Sequence, residues 1–106
     1  MNNLNSVLIE GNVLPRPVTD DGITCTFDGI TCTFTIASER TYLKNDSLKK
    51  EEAHFDIQAD GKLGQICFGK LRKGQGVRVV GRLAVKEAQV YILAEHVEIR
   101  PMQAKP

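Results

Sequence analysis

The chain has 106 residues, 42% apolar and 25% charged, enough for one domain with a modest core and no metal or disulfide staples. This composition excludes wholesale disorder, and no apolar run reaches the ~18 residues that span a bilayer. Three cysteines, behind a start (MNNLNSVLIE) with no basic residue and no signal-like apolar stretch, point to a reducing cytoplasm rather than a disulfide framework.

Residues 4–13 alternate, with Val7, Ile9, Gly11 and Val13 on one face and Ser6, Glu10 and Asn12 on the other, which predicts a strand with a bend at the glycine. Pro15 and Pro17 then bar a central strand. A tandem repeat follows: 21–27 and 28–34 are the same heptapeptide, DGITCTF. An odd-length repeat run through one strand would turn the second apolar set to the wrong face. A hairpin around Asp28-Gly29, a strong two-residue turn signal, avoids this. Phe27 then faces Ile30, Cys25 faces Cys32 and Ile23 faces Phe34, all on one face. Cys25 and Cys32 read as small buried apolar side chains rather than a redox pair.

Residues 34–37 continue the second arm. The polar stretch 38–53, SERTYLKNDSLKKEEA, has no sustained period and reads as a long loop, the kind that often carries function. Residues 54–60 alternate, with Phe55, Ile57 and Ala59 inward and His54, Asp56, Gln58 and Asp60 outward. Leu63, Ile66, Cys67 and Leu71 have helical spacing, predicting a short helix over 62–72 closed by Gly74 and Gly76. Residues 77–85 and 89–99 read as two more strands around a turn near Lys86-Glu87, and the polar end, 101–106, as a tail outside a single 1–100 domain. Phe27, Phe34, Phe55 and Phe68 are expected in the core.

These elements predict an all-β fold, a five-stranded OB-fold Greek-key barrel with one short helix between strands 3 and 4. A split α+β sheet would use the same elements. Net charge is +1, unevenly spread: residues 1–60 hold five basic and ten acidic side chains, and 61–106 hold nine and three. Between 61 and 86 there are seven basic residues and no acid, a candidate polyanion footprint. No phosphate-binding glycine loop, metal-ligand spacing or nucleophile–base pair is present, so neither an enzyme, a metal nor a cofactor is expected.

Five segments in register carry a resemblance: Asn5–Asn12 (NSVLIEGN), Phe34–Ser38 (FTIAS), His54–Leu63 (HFDIQADGKL), Lys73–Leu83 (KGQGVRVVGRL) and Val90–Ile99. They are similar, in order and over about residues 3–100, to the bacterial single-stranded DNA-binding protein family. The resemblance implies sequence-tolerant binding of single-stranded DNA during replication, recombination and repair, by a homotetramer or dimer of OB barrels in the cytoplasm, at the nucleoid, with no membrane. It also implies contact with replication and repair proteins, but the family's acidic recruiting tail is missing here. On the resemblance Tyr42 and His54 are stacking candidates, with Tyr91 a weaker one. Asp60 and the short 86–89 turn replace aromatic positions of the family. Lys44, Lys49, Lys50, Lys62, Arg72 and Lys73 are candidate phosphate contacts, and Arg78 and Arg82 either line the groove or face outward. A second reading is an accessory protein similar to the primosomal replication protein N group, bridging DNA and a helicase or primosome partner. A third is an OB module that binds protein through its acidic third-strand face.

Overall fold

The computed structural model describes residues 3–15, 22–26 and 30–100. The Asp28-Gly29 turn, Phe27, Pro17 and the 101–106 tail lie outside the described residues. The elements are β1 (Val7–Val13), β2 (Ile23–Cys25), β3 (Thr31–Lys44), β4 (Ser47–Asp60), α1 (Gly61–Lys70), β5 (Gly76–Lys86) and β6 (Gln89–Ile99).

The sheet runs β1-β5-β6-β4-β3-β2, and β1 also pairs with β3 through Asn12↔Ala37 and Val13↔Ile36. That second pairing closes β1, β5, β6, β4 and β3 into a five-stranded barrel, with β2 attached to the edge of β3. The helix falls between the third and fourth of the five barrel strands in chain order. This is the expected OB-type barrel.

The alternating residues fill it. Phe34, Ile36, Ile57, Val77 and Val79 are fully buried, joined by Val13 and Ile92. Cys67 and Leu71, also fully buried, plug one end from the helix side. The helix lies close to the strands because its buried stripe includes Gly64, where a Cβ would stand 2.5 Å from the Ala59 carbonyl oxygen. It ends before the expected Arg72 because Leu71 is already extended, with ψ 141°. Phe68 was expected in the core but is 56% exposed, since the inward stripe runs through Gly64, Cys67 and Leu71. Ile30, 55% exposed, also lies outside the core, beyond the end of the β2–β3 ladder, where its carbonyl accepts the Gly61 N–H.

The largest correction concerns residues 38–53. They form not a loop but the outer half of a long hairpin, paired residue by residue from Thr31↔Asp60 to Lys44↔Ser47. Asn45 and Asp46 close it with φ of 51° and 62°, the positive values that a type I′ turn requires. The hydrophobic period is absent here because neither side of this part of the hairpin is buried, so nothing selects apolar residues at alternate positions.

The cysteine reading is corrected as well. Cys25 and Cys32 face each other as expected, but they are joined as a disulfide with Cα atoms 4.0 Å apart. The Thr26 N–H to Thr31 carbonyl bond next to them marks theirs as a non-hydrogen-bonded pair, where opposing Cα atoms come closest. Cys67 is the free cysteine among the described residues, and burial pushes its thiol pKa up to about 11.

The β5–β6 hairpin turns through Glu87 and Ala88, at φ 52° and 64°. Left-handed backbone is costly for alanine. Ala88→Gly is therefore expected to raise unfolding free energy by about 0.5 kcal/mol, read as a higher urea midpoint at unchanged slope.

Candidate nucleic-acid interface

Strand register determines which side of the sheet each polar residue occupies. On β3 the core-side positions run Cys32, Phe34, Ile36, and continue past the barrel as Ser38, Arg40, Tyr42 and Lys44. On β4 the core-side positions Ala59, Ile57 and Phe55 continue outward as Ala53, Glu51, Lys49 and Ser47. Beyond the barrel, this side of the hairpin therefore carries Arg40 opposite Glu51 and Tyr42 opposite Lys49, with Lys44 at the turn. The Arg40 guanidinium carbon sits 5.2 Å from the centroid of the Tyr42 ring, a cation–π contact worth ~0.5–1 kcal/mol at an exposed site.

The same side of the same sheet continues onto the other hairpin. β4 and β6 run parallel, joined at Ile57↔Ile92 and Gln58↔Leu93, so the two hairpin turns point the same way. Core-side positions on β5 and β6 pass from Val79 and Ile92 to Leu83, Val85 and Val90, which are 49%, 68% and 60% exposed. A basic, aromatic arm and an apolar ledge thus flank one end of the barrel on a single side. Leu83 lies on the core side but past the end of the core.

The outer side of the long hairpin differs. It presents Glu39 opposite Glu52, Thr41 opposite Lys50, and Leu43 opposite Leu48. Lys50 is 3.3 Å from Glu39, and His54 is 3.4 Å from Glu52. Asp56 accepts a 2.9 Å bond from the Thr35 hydroxyl, and Gln58 donates to Asp60. Lys50 and His54 therefore face away from Tyr42 and sit among carboxylates.

The remaining candidates are spread further. Arg78 is held at 3.4 Å from Glu10 and 3.8 Å from Glu98, while Arg100 also reaches Glu10 at 2.5 Å. Its charge is met by protein acids. Arg82 lies on the outer side, opposite Leu93 and two pairs from Tyr91. Arg72 donates to the Leu71 carbonyl at 2.7 Å, at the exit of α1, whereas Lys62 is exposed at its entry. Lys73 lines a cleft of about 460 Å³ with Asn12, Gly74, Ala37, Glu39 and Glu52. The structure thus brings Tyr42, Lys44 and Lys49 together and separates them from Lys50, His54, Arg78 and Arg82.

Arg40 was missed. Its signal was the Arg-Thr-Tyr spacing, which puts two side chains on one face only if the segment is a strand. The apolar ledge was missed because Leu83 and Val85 continue the period of the buried Val77 and Val79.

Among the described residues no group of three metal-ligating side chains occurs, and no helix is long and apolar enough to cross a membrane.

A family model described as the single-strand binding protein family matches residues 4–98. The chain belongs to this family. Among solved structures, a small single-stranded DNA-binding protein from Streptomyces coelicolor is 25% identical, with TM-score 0.69, covering 94% of this chain and 96% of that one. A Plasmodium falciparum SSB in complex with single-stranded DNA is 18% identical, with TM-score 0.75, over 95% and 98% of the two chains. The protein PriB from Ralstonia solanacearum is 15% identical, with TM-score 0.69, over 93% and 100%. The last two likenesses carry the fold alone, so the primosomal reading is not favoured over the single-strand binding family. No curated protein sequence matches significantly.

Proposed function

We propose that this single-strand binding family member holds single-stranded DNA on the core side of its long hairpin. Arg40, Lys44 and Lys49 meet phosphates and the Tyr42 ring stacks on a base. Leu83, Val85 and Val90 offer an apolar wall that makes no hydrogen bond to a base edge. Such contacts do not discriminate between sequences, because every base has a stackable face and phosphates carry no base identity. The reading rests on one observation, the placement of the Arg40–Tyr42 pair and two lysines on a single side of a sheet whose other side is acidic there.

Binding and release require no bond making, so the role is protection of unpaired strands in replication, recombination and repair, without catalysis. Lys62, Arg72 and Lys73 around α1 serve longer DNA that leaves the hairpin, whereas Lys50 and His54 are engaged with Glu39 and Glu52 on the outer side. Assembly as a homo-oligomer, a cytoplasmic location at the nucleoid and the extent of the domain over 1–100 are part of the same reading.

Lys49 and Lys50 are neighbours in sequence and point to opposite sides, which makes them the test. Lys49→Glu should weaken binding of a fluorescent oligothymidylate about tenfold or more at low salt, and Lys50→Glu should change it less than about twofold. A larger loss for Lys50→Glu would put the DNA on the outer side.

A further inference from the structure

The Cys25–Cys32 disulfide has no part in the proposed DNA contact, and its origin is legible in the chain. It joins two copies of one heptapeptide, DGITCTF, folded against each other. In this register the third letter of one copy meets the seventh of the other (Ile23↔Phe34), the fourth meets the sixth (Thr24↔Thr33), and the fifth meets itself. The fifth letter is cysteine. Duplicating a word with a single cysteine thus produced a cross-strand pair that a single copy lacks.

The pair clips an otherwise lightly held strand. β2 is three residues long, lies at the end of the sheet order and, among the described residues, has β3 as its strand partner. Yet the structure depends on where it sits. Ile23 is 2% exposed within the core, and the adjoining Gly22, at φ 89°, packs tightly on the end of β1: a Cβ there would stand 2.8 Å from Val13 Cγ1 and 3.0 Å from the Leu14 carbonyl oxygen. The two sulfurs differ in access. Cys25 is partly buried at the margin of the core and keeps some solvent access, whereas Cys32 is fully buried, with its Sγ 3.4 Å from the position a Gly64 Cβ would take under α1. Cys67, the third cysteine, is buried and held as a neutral thiol, so it is not a nucleophile toward the bond.

We infer that Cys25–Cys32 is a thiol–disulfide exchange site, opened from the Cys25 side by a dithiol reductant and acting as a reversible clasp on β2. A thiolate of the dithiol attacks Cys25 Sγ, the Cys25–Cys32 bond breaks, and the Cys32 sulfur leaves and takes up a proton. The second thiol of the reductant then attacks the mixed disulfide and releases Cys25. Two electrons and two protons pass from the dithiol to the protein, giving two protein thiols and one oxidised dithiol.

The test needs no DNA, so its result is separate from the fate of the proposed function. Protein prepared without reductant is alkylated in denaturant, and then again after dithiothreitol. The clasp predicts one reactive thiol per chain in the first case and three in the second. Hydrogen exchange is then compared between the oxidised and dithiothreitol-reduced native protein. Amides of 22–26 should exchange about tenfold or more faster after reduction, while those of β5 stay unchanged. Cys25→Ser/Cys32→Ser should match the reduced form, and Cys67→Ser the oxidised one. The reduced wild type supplies the comparison should the double variant not fold. Three reactive thiols without reductant, or equal exchange of β2 in the two forms, would overturn the inference.

Discussion

Tyr42→Ala is expected to weaken binding of a short oligothymidylate about 10- to 100-fold at low salt, the ~1–3 kcal/mol of one lost stacking contact. The barrel should be untouched, because Tyr42 pairs with Lys49 in the outer part of the hairpin and is not among the buried core residues. Tyr42→Phe keeps the ring and should retain most of the affinity. Arg40→Ala separates the two roles at this site: it removes a cation as well as the contact over the ring. The slope of log affinity against log salt should then fall by about 0.7, the share of one phosphate on a single strand, whereas Tyr42→Ala should leave the slope unchanged. Wild-type affinity in Tyr42→Ala, with circular dichroism unaltered, would remove the hairpin from the interface.

The second large effect is on stability. At Gly81 the register between β5 and β6 slips: Val80 pairs with His96 but Gly81 pairs with Ala94, leaving Glu95 as the extra residue of a bulge. The bulge brings the Leu93 backbone over Gly81, so that a Cβ would overlap the Leu93 carbonyl oxygen and stand 3.1 Å from the Ala94 Cα. Both obstacles are backbone, which no rotamer change relieves. Gly81→Val is expected to destabilise the fold by about 3 kcal/mol, the upper part of the usual overpacking range, with a fall in Tm of more than about 12 °C. Gly76→Ala is the control. It lies on the same strand, but the nearest atom to its Cβ position would be Arg100 Cβ at 3.6 Å, an ordinary contact. Equal losses in the two variants would show that β-strand propensity, not the close approach at the bulge, sets the cost.

The barrel was readable because burial on one side writes a period of two into the chain. Ile57 and Ala59, Val77 and Val79, and Ile23 opposite Phe34 all stand where alternation put them. The outer hairpin was not readable, for the converse reason. Residues 38–53 are paired on one edge and wet on both sides, so their composition is that of a loop while their backbone is that of a strand. The error carried into the site. Read as a loop, the segment gave Lys49 and Lys50 the same standing and left out Arg40; as a strand it separates the two lysines and joins Arg40 to Tyr42. The outward side of 54–60 was readable and carries Asp56 and Asp60 as expected, but its carboxylates oppose a phosphate path. The disulfide was a matter of chemistry rather than geometry. The facing of Cys25 and Cys32 followed from the hairpin, whereas bond formation depends on redox conditions that no residue pattern encodes.

The long hairpin reaches past every other strand, and among the described residues its two strands pair from Ser38 to Phe55 only with each other. A two-stranded ribbon on its own is marginally stable in water. Freedom of such a ribbon would spend part of any ligand's gross attraction on ordering the chain. Grip strength then becomes adjustable from the turn, at a distance from any contacting side chain. Asp46 occupies a left-handed position that glycine adopts without strain. A stiffer bend there would give tighter capture through preorganisation alone.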